Sequence, residues 1–350
     1  MRLEPRPDAP PLLRLSVPVA SVLCALALAS VPLAAAGAPI GRSLALMLDG
    51  AAGSAFAATE TLARATPLIL TGLAAAVAFR ARLFNIGAEG QLYAGALAAV
   101  AVGGGAVDAP AWVLVPLILL MAALAGGLLM LGPALLKVRL GVDEVVTTLL
   151  LNFVVLLFVQ MMLEGPLKDP MGGGWPQSVP ILDQGVLPPL AGRMRVHAGL
   201  LVAVAAAVAT HVLLARTAVG LRVRAVGGNP AAARHAGIPV GAVTAGVALL
   251  SGGLAGLAGA SEVAGLKGYL TADLSRGFGY AGITVAMLAG LQPLAVVPAA
   301  VLVAGVFVGA DTMSRAVGVS NYIADLIVAL VLLCVLVGGL LVRYRVRWRT

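Results

Sequence analysis

Long uninterrupted apolar runs constrain this chain more than any other feature. They lie near residues 12–36, 62–79, 90–107, 111–131, 145–163, 196–215, 240–260, 278–291, 294–311 and 321–342. A helical run of about 20 apolar residues spans the hydrocarbon layer of a bilayer, with every backbone amide satisfied inside the segment. A transmembrane barrel would alternate apolar and polar residues instead. Hydrophobic types make up 61% of the residues and charged types 11%, well below the charge of a soluble domain. A water-soluble globule is therefore excluded. The expected fold is an all-α polytopic membrane protein of about ten transmembrane helices, forming a single transmembrane domain over residues 1–350. The eighth run is short for a crossing and is expected either to cross with shielding or to re-enter.

Basic residues gather between alternate runs. With the N-terminus inside, the inner segments hold Arg2, Arg6, Arg14, Arg80, Arg82, Lys137, Arg139, Arg216, Arg222, Arg224, Arg234, Arg343, Arg345, Arg347 and Arg349, against Glu4, Asp8, Glu89, Asp143 and Glu144. The net charge of +8 thus follows from topology by the positive-inside rule and does not call for nucleic acid. N-in and C-in, with an even number of crossings, is the expected orientation. Arg2, Arg6 and the Ala34-Ala35-Ala36 stretch resemble a signal peptide, but the apolar core is too long for one, so a retained anchor is expected. Cys24 and Cys334 sit within apolar runs and suggest neither a disulfide framework nor a metal site.

Several enzymatic classes can be set aside. All three lysines follow leucine (Leu136-Lys137, Leu167-Lys168, Leu266-Lys267), so no Gly-Lys-Ser/Thr phosphate loop exists. Gly277-Phe278-Gly279-Tyr280-Ala281-Gly282 fits a dinucleotide fingerprint only in spelling; it opens an apolar segment, where glycines serve helix packing. His197, His211 and His235 are scattered near loop edges, away from any nucleophile, and no metal set is expected. An ion-coupled secondary transporter is the main rival to the reading given below. Such proteins carry ionisable groups within their spans, and Asp325 is the sole deep candidate here.

Three segments carry information. Asn85-Ile86-Gly87-Ala88-Glu89-Gly90-Gln91 joins the second and third runs. Asn85 is expected to cap the following helix, with Glu89 near its positive end and Gly87 and Gly90 admitting a neighbouring backbone. Glu89 and Gln91 should face protein or a watery path, with Glu89 either on that path or locking the turn through Arg80 or Arg82. The second segment runs from Gly220 to Pro239. Asn229 reads as a cap, Pro230 as the first helical residue, Ala231–Ala233 as helix and Gly237 as the stop. The result is a short rigid helix on the inner face, read as a docking knob or a connector. The third segment has Gly252, Gly256 and Gly259 on one helix face, suited to close packing, and ends in Glu262, a helix-end carboxylate expected to be solvated unless it serves the path. Asn152, Gln160, Asp311 and Asp325 are expected to hydrogen-bond between helices. The Pro- and Gly-rich stretch 164–195 should be an irregular outer loop, either a binding element or a connector.

Taken together, Asn85–Gln91, the Arg224–Gly237 run with its Gly-Gly-Asn-Pro, and the glycine-rich helix ending in Glu262 resemble the permease subunits of bacterial ABC importers. The similarity is to the branched-chain amino acid and simple-sugar permease family, closest to its nucleoside-type branch, over about 60–340. The resemblance implies a non-enzymatic permease that binds no cofactor itself, with ATP and Mg on a partner ATPase. It also implies a second permease subunit, expected to be non-identical, an extracytoplasmic solute-binding protein, and the bacterial inner membrane as location. Gly228, Asn229, Pro230, Ala232, Arg234, His235 and Gly237 would couple to the ATPase through the loop at about 216–239. Asn85, Glu89, Gln91, Asn152 and Glu262 would belong to the translocation path, and loops 164–195 and 262–277 would receive the binding protein. Nucleosides lead as solute, then ribose-like sugars, then branched amino acids. The turn Ala289-Gly290-Leu291-Gln292-Pro293 lacks an Arg that the family often carries there.

Overall fold

The computed structural model describes residues 2–5, 10–190, 192 and 194–347. Arg6, Asp8 and Arg349 of the charge set expected inside, and positions 191 and 193 of the loop expected outside, lie outside the described residues. In chain order the helices are α1 (Pro11–Ala35), α2 (Ile40–Ala52), α3 (Ala55–Arg80), α4 (Ala88–Gly103), α5 (Ala111–Leu140), α6 (Glu144–Glu164), α7 (Gly199–Arg216), α8 (Ala218–Gly228), α9 (Pro230–His235), α10 (Val240–Glu262), α11 (Phe278–Leu288), α12 (Pro293–Val317) and α13 (Asn321–Arg343). Among the described residues, seven helices are long and apolar enough to cross a membrane: α3, α5, α6, α7, α10, α12 and α13. The protein is a multi-pass helical membrane protein. At 1.5 Å per residue α4 reaches about 24 Å and α11 about 16 Å, the latter roughly half of the hydrocarbon layer.

The helices form two compact units, whose boundaries fall within α3 and α12. The unit Leu62–Ala300 is built on α4, α5 and α10. A Cβ at Gly252 would strike the Gly126 carbonyl of α5, one at Gly256 the Ala122 carbonyl, and one at Gly259 the Leu92 carbonyl of α4. The small face expected of α10 therefore brings three main chains as close as they can pack, the condition under which dispersion drives helix association in lipid. Of the spanning window of α3, 83% is buried, against 22% for α6. Phe153, Val154, Leu157 and Phe158 of α6 point outward and Glu144, Thr148 and Asn152 point inward; Gln160, expected to hydrogen-bond between helices, is instead exposed on the outward side.

Local signals account for the ends. Asp143 caps α6, its Oδ1 accepting from Val145 N at 2.7 Å. α5 ends at Gly141, whose φ of +69° is left-handed, with Lys137 and Arg139 in its last turn, where cations suit the helix dipole. α5 runs past the expected end at 131 because Pro133 is accommodated inside the helix. Besides α9, which its own cap signals announce, two helices have no counterpart in the apolar runs. α2 has Met47 and Gly50 on its buried face and Leu48 exposed. α8 follows α7 after a single residue, Thr217, which caps it by accepting from Gly220 N.

The other unit joins Met1–Thr61 to Val301–Thr350. Gly338 of α13 faces Ser21 and Val17 of α1, and Gly309 and Thr312 of α12 face Met47 and Gly50 of α2. β1 (Arg2–Pro5) and β2 (Tyr344–Arg347) pair antiparallel, with Arg2 opposite Arg347. The two ends of the chain therefore meet on one side of this unit.

Candidate functional site

The segment before α4 is a knot of buried polar groups. The Asn85 amide donates to Gln91 Oε1 at 2.8 Å and Ser251 Oγ at 2.9 Å, and its Oδ1 accepts from Gln91 Nε2 and Gly87 N at 2.9 Å. Ser251 in turn donates to the Ala74 carbonyl of α3. Asn85 was expected to cap α4, but the cap position is Gly87, without a side-chain bond. The Asn85 side chain instead closes a tight turn and ties α4 to α10, because its amide is more useful between helices than at an end already shielded. Glu144, Thr148 and Asn152 lie at four-residue spacing on one face of α6, and each holds this segment. Glu144 accepts from Phe84 N, Thr148 from Ile86 N, and Asn152 accepts from Gly90 N at 2.8 Å while donating to the Ile86 carbonyl and Tyr280 Oη. Asn152 is thus the interhelical hydrogen bonder expected. A polar stripe on an otherwise apolar helix is the signal that would have added Glu144 and Thr148.

Glu89 is 4% exposed and pairs with neither Arg80 nor Arg82. Its Oε2 accepts from Gly279 N at 2.7 Å, and Gly277 N and Ser275 also bond the carboxylate. The carboxylate therefore sits at the first turn of α11, where unpaired amides and the dipole favour an anion. A Cβ on Gly279 would stand 2.5 Å from Glu89 Cα, and one on Gly282 would stand 2.5 Å from Thr71 Oγ1. The Gly277–Gly282 string is thus a packing motif, as its sequence implies. Thr71 donates to the Phe278 carbonyl at 3.0 Å, and Tyr93 donates to Ala272 O at 2.6 Å while accepting from Ser275 N. α11 is clamped at its N-terminal end by α3, α4 and α6. Its far end runs into the 289–292 turn, where Leu291 has φ +61° and Arg80 Nε donates to the Leu291 carbonyl at 2.9 Å.

The Asn229 signals act as the sequence implies. Its Oδ1 accepts from Ala231 N at 3.0 Å and Ala232 N at 3.1 Å, and Pro230 opens α9. Gly237 takes φ +76°, and the bond from Ile238 N to Ala233 O closes the end in the Schellman manner. Ala232, Arg234, His235 and Gly237 are exposed, and His235 Nδ1 donates to Ala231 O. Sequence reasoning missed Gly227: a Cβ there would collide with the Arg80 carbonyl and reach 2.9 Å from Arg80 C. The segment bearing α9 is therefore seated on the end of α3. Arg224 adds a bond to the Leu214 carbonyl at the end of α7.

On the opposite face the 164–195 loop is irregular, with one 3-10 turn at Asp183–Gly185. It is stitched to the 262–277 segment: Ser178 N donates to Leu270 O, Ile181 N to Gly268 O and Leu187 N to Ala264 O. Glu262 does not end in solvent as expected; it is 2% exposed. The chain continues into a π-helical turn, Val263–Lys267, and the 164–195 loop closes over it, Leu187 N donating to Ala264 O. His197 lies beneath the same cover, its ring against Gly265 and its Nδ1 accepting from Gly199 N. Burial lowers its pKa to about 4.

The fold is thus a multi-pass helical membrane protein that carries a capped, exposed short helix and a set of loops stitched by backbone hydrogen bonds. Residues 57–336 match the family described as branched-chain amino acid transport system / permease component, and the chain belongs to that family. It is 40% identical to the glucose ABC transporter permease protein TsgB13 of Haloferax volcanii, over 99% of this chain and 93% of the relative. It is 36% identical to the guanosine ABC transporter permease protein NupP of Bacillus subtilis, over 92% of each. It is 30% identical to the nucleoside ABC transporter permease protein NupB of Lactococcus lactis subsp. cremoris, over 76% of this chain and 75% of the relative. No solved structure matches the chain. The protein is a permease subunit of an ATP-binding-cassette importer.

Proposed function

We propose that this permease carries nucleosides, with ribose-like sugars the second choice, through a path formed with a second, non-identical permease in the bacterial inner membrane. Relatives named for guanosine and nucleosides support the first choice, and the glucose relative supports the second. All of these solutes are uncharged and rich in hydroxyls. Ten crossings, counting the short α11 as one, and N-in, C-in orientation fit the β1–β2 pairing of the two ends and the arginines assigned to the inner side. ATP and Mg belong to a separate ATPase, and a binding protein docks on the stitched outer loops.

The observation that carries this reading is α9: an exposed, doubly terminated helix seated on α3 through Gly227. Closure of the ATPase pushes α9. The backbone contact at Gly227 and Arg80 passes the displacement to α3, and Arg80 passes it to the turn after α11. Asn85, Glu89, Gln91 and Asn152 brace this assembly from behind the path, since their polar atoms are spent on helices; Glu262 braces the outer end. No bond of the solute is made or broken. Transport is tested by reconstituting the chain with its ATPase, partner permease and binding protein in vesicles. Arg234→Glu or Gly237→Val should leave the protein folded and abolish ATP-driven uptake; full uptake in either variant refutes the coupling assignment. Uptake driven by an ion gradient without any ATPase would favour the secondary-transporter reading.

A further inference from the structure

We propose that a cavity beside α9 is a binding site for the headgroup of an anionic phospholipid. The cavity measures about 450 Å³ and is walled by the α3–α4 turn, the end of α5, α8, α9 and the start of α10. That size suits a bound small molecule. Three cations line it, Arg82, Lys137 and Arg234, and no carboxylate does. Lys137 is already committed, pairing with Glu144 and donating to the Arg82 carbonyl. The side chains of Arg82 and Arg234 have no hydrogen bond or ion pair among the described residues, and both residues are exposed. Two free guanidinium forks flank the cavity, and this group matches phosphate oxygens better than any other side chain.

The remaining wall is apolar: Leu83, Phe84, Val138, Val226 and Val240. Phe84 and Val138 are 44% and 42% exposed, so the greasy side is open at the height where α3 and α5 end. A free anion would have no use for that wall. A phosphate joined to acyl chains uses both halves, the forks for its charge and the valines for the start of a chain. Basic pockets between helices at the inner face of a membrane take anionic lipids on these terms. Arg82 also holds a left-handed φ of +53°, a strain of the kind that persists where a site requires it. Because Pro230 and Arg234 of α9 form part of the wall, an occupied site would hold the base of the coupling helix.

The test uses the full-length chain in neutral detergent. Short-chain phosphatidylglycerol, phosphatidylcholine of equal chain length and inorganic phosphate are added in turn. Thermal midpoint and lipid retained in native mass spectrometry are measured. Phosphatidylglycerol should bind as a single adduct and raise the midpoint, with the other two giving little. Arg82→Gln should weaken it about fivefold, the worth of one basic residue at such a surface, and Val138→Trp should weaken it by filling the apolar wall. Arg139→Gln, a nearby exposed residue that does not line the cavity, should not. Equal binding of phosphatidylcholine, an equal effect of inorganic phosphate, or equal loss in Arg82→Gln and Arg139→Gln would each overturn the proposal. These readouts do not depend on which way the protein faces in the membrane, so failure of the orientation proposed above would show separately, in cysteine-labelling of intact cells.

Discussion

Replacing Gly279 by Ala is the most exacting test of how α11 is held. In an ordinary helix interior this change stabilises by up to about 1 kcal/mol, since Ala loses less backbone entropy. Here the added Cβ would stand 2.5 Å from Glu89 Cα and 2.7 Å from Ala88 C, both backbone, where ordinary contact begins at 3.4 Å. Neither neighbour can swing aside, and the Glu89 amide nitrogen is nearer still, so α11 must withdraw by at least about 0.9 Å. That lengthens the bond from Gly279 N to Glu89 Oε2 from 2.7 Å to about 3.6 Å or more, beyond hydrogen-bonding range. Losing a hydrogen bond to a buried carboxylate costs about 1.5–3 kcal/mol, and any overpacking that remains costs more. The expected net effect is destabilisation by about 2 kcal/mol. Unfolding of the full chain by titrating SDS into mixed micelles, followed by circular dichroism, measures it. Stability equal to or above the parent would refute the reasoning. Glu89→Gln acts on the same bond, so the double variant should be less destabilised than the sum of the singles by more than about 0.5 kcal/mol.

Other consequences follow from the same contacts. Asn229→Ala removes the side-chain cap of α9, costing about 1 kcal/mol, and should cut ATP-driven uptake while Asn229→Asp retains it. Gly256→Leu pushes α10 off the Ala122 carbonyl and should cost about 3 kcal/mol, visible as loss of the monodisperse peak in size-exclusion chromatography. His197, just before α7, has its pKa lowered by burial to about 4. The unfolded chain therefore takes up the proton first as pH falls. The stability contribution is full above about pH 6.5 and is lost between there and about pH 4, amounting to about 3 kcal/mol. Unfolding midpoints measured across that range should fall for the parent and stay flatter for His197→Gln; parallel curves would refute this.

Part of the site is legible in the amino-acid sequence, and the reason is locality. The Asn229 cap, the Pro230 start and the Gly237 stop act within ten residues, so their outcome follows from backbone chemistry alone. Gly252, Gly256 and Gly259 announce close packing by their four- and three-residue spacing, although not which helices they meet. Other assignments depend on partners far along the chain. Asn85 has the look of a cap and is a cross-brace to Ser251. Glu89 has Arg80 and Arg82 close by in sequence and is bound by Gly279. Glu262 reads as a solvated end, yet the loop from 164 covers it. Gly227 gives no local signal, because its neighbour, Arg80, lies in another helix.

Apolar run length settled the class of this protein, since a bilayer leaves a chain few ways to satisfy its backbone. Where each buried polar group finds its partner was decided by the tertiary structure alone. In the interior water is absent, so a carboxylate or amide must take whichever donor the packed helices bring within 3 Å, and no local pattern encodes that donor.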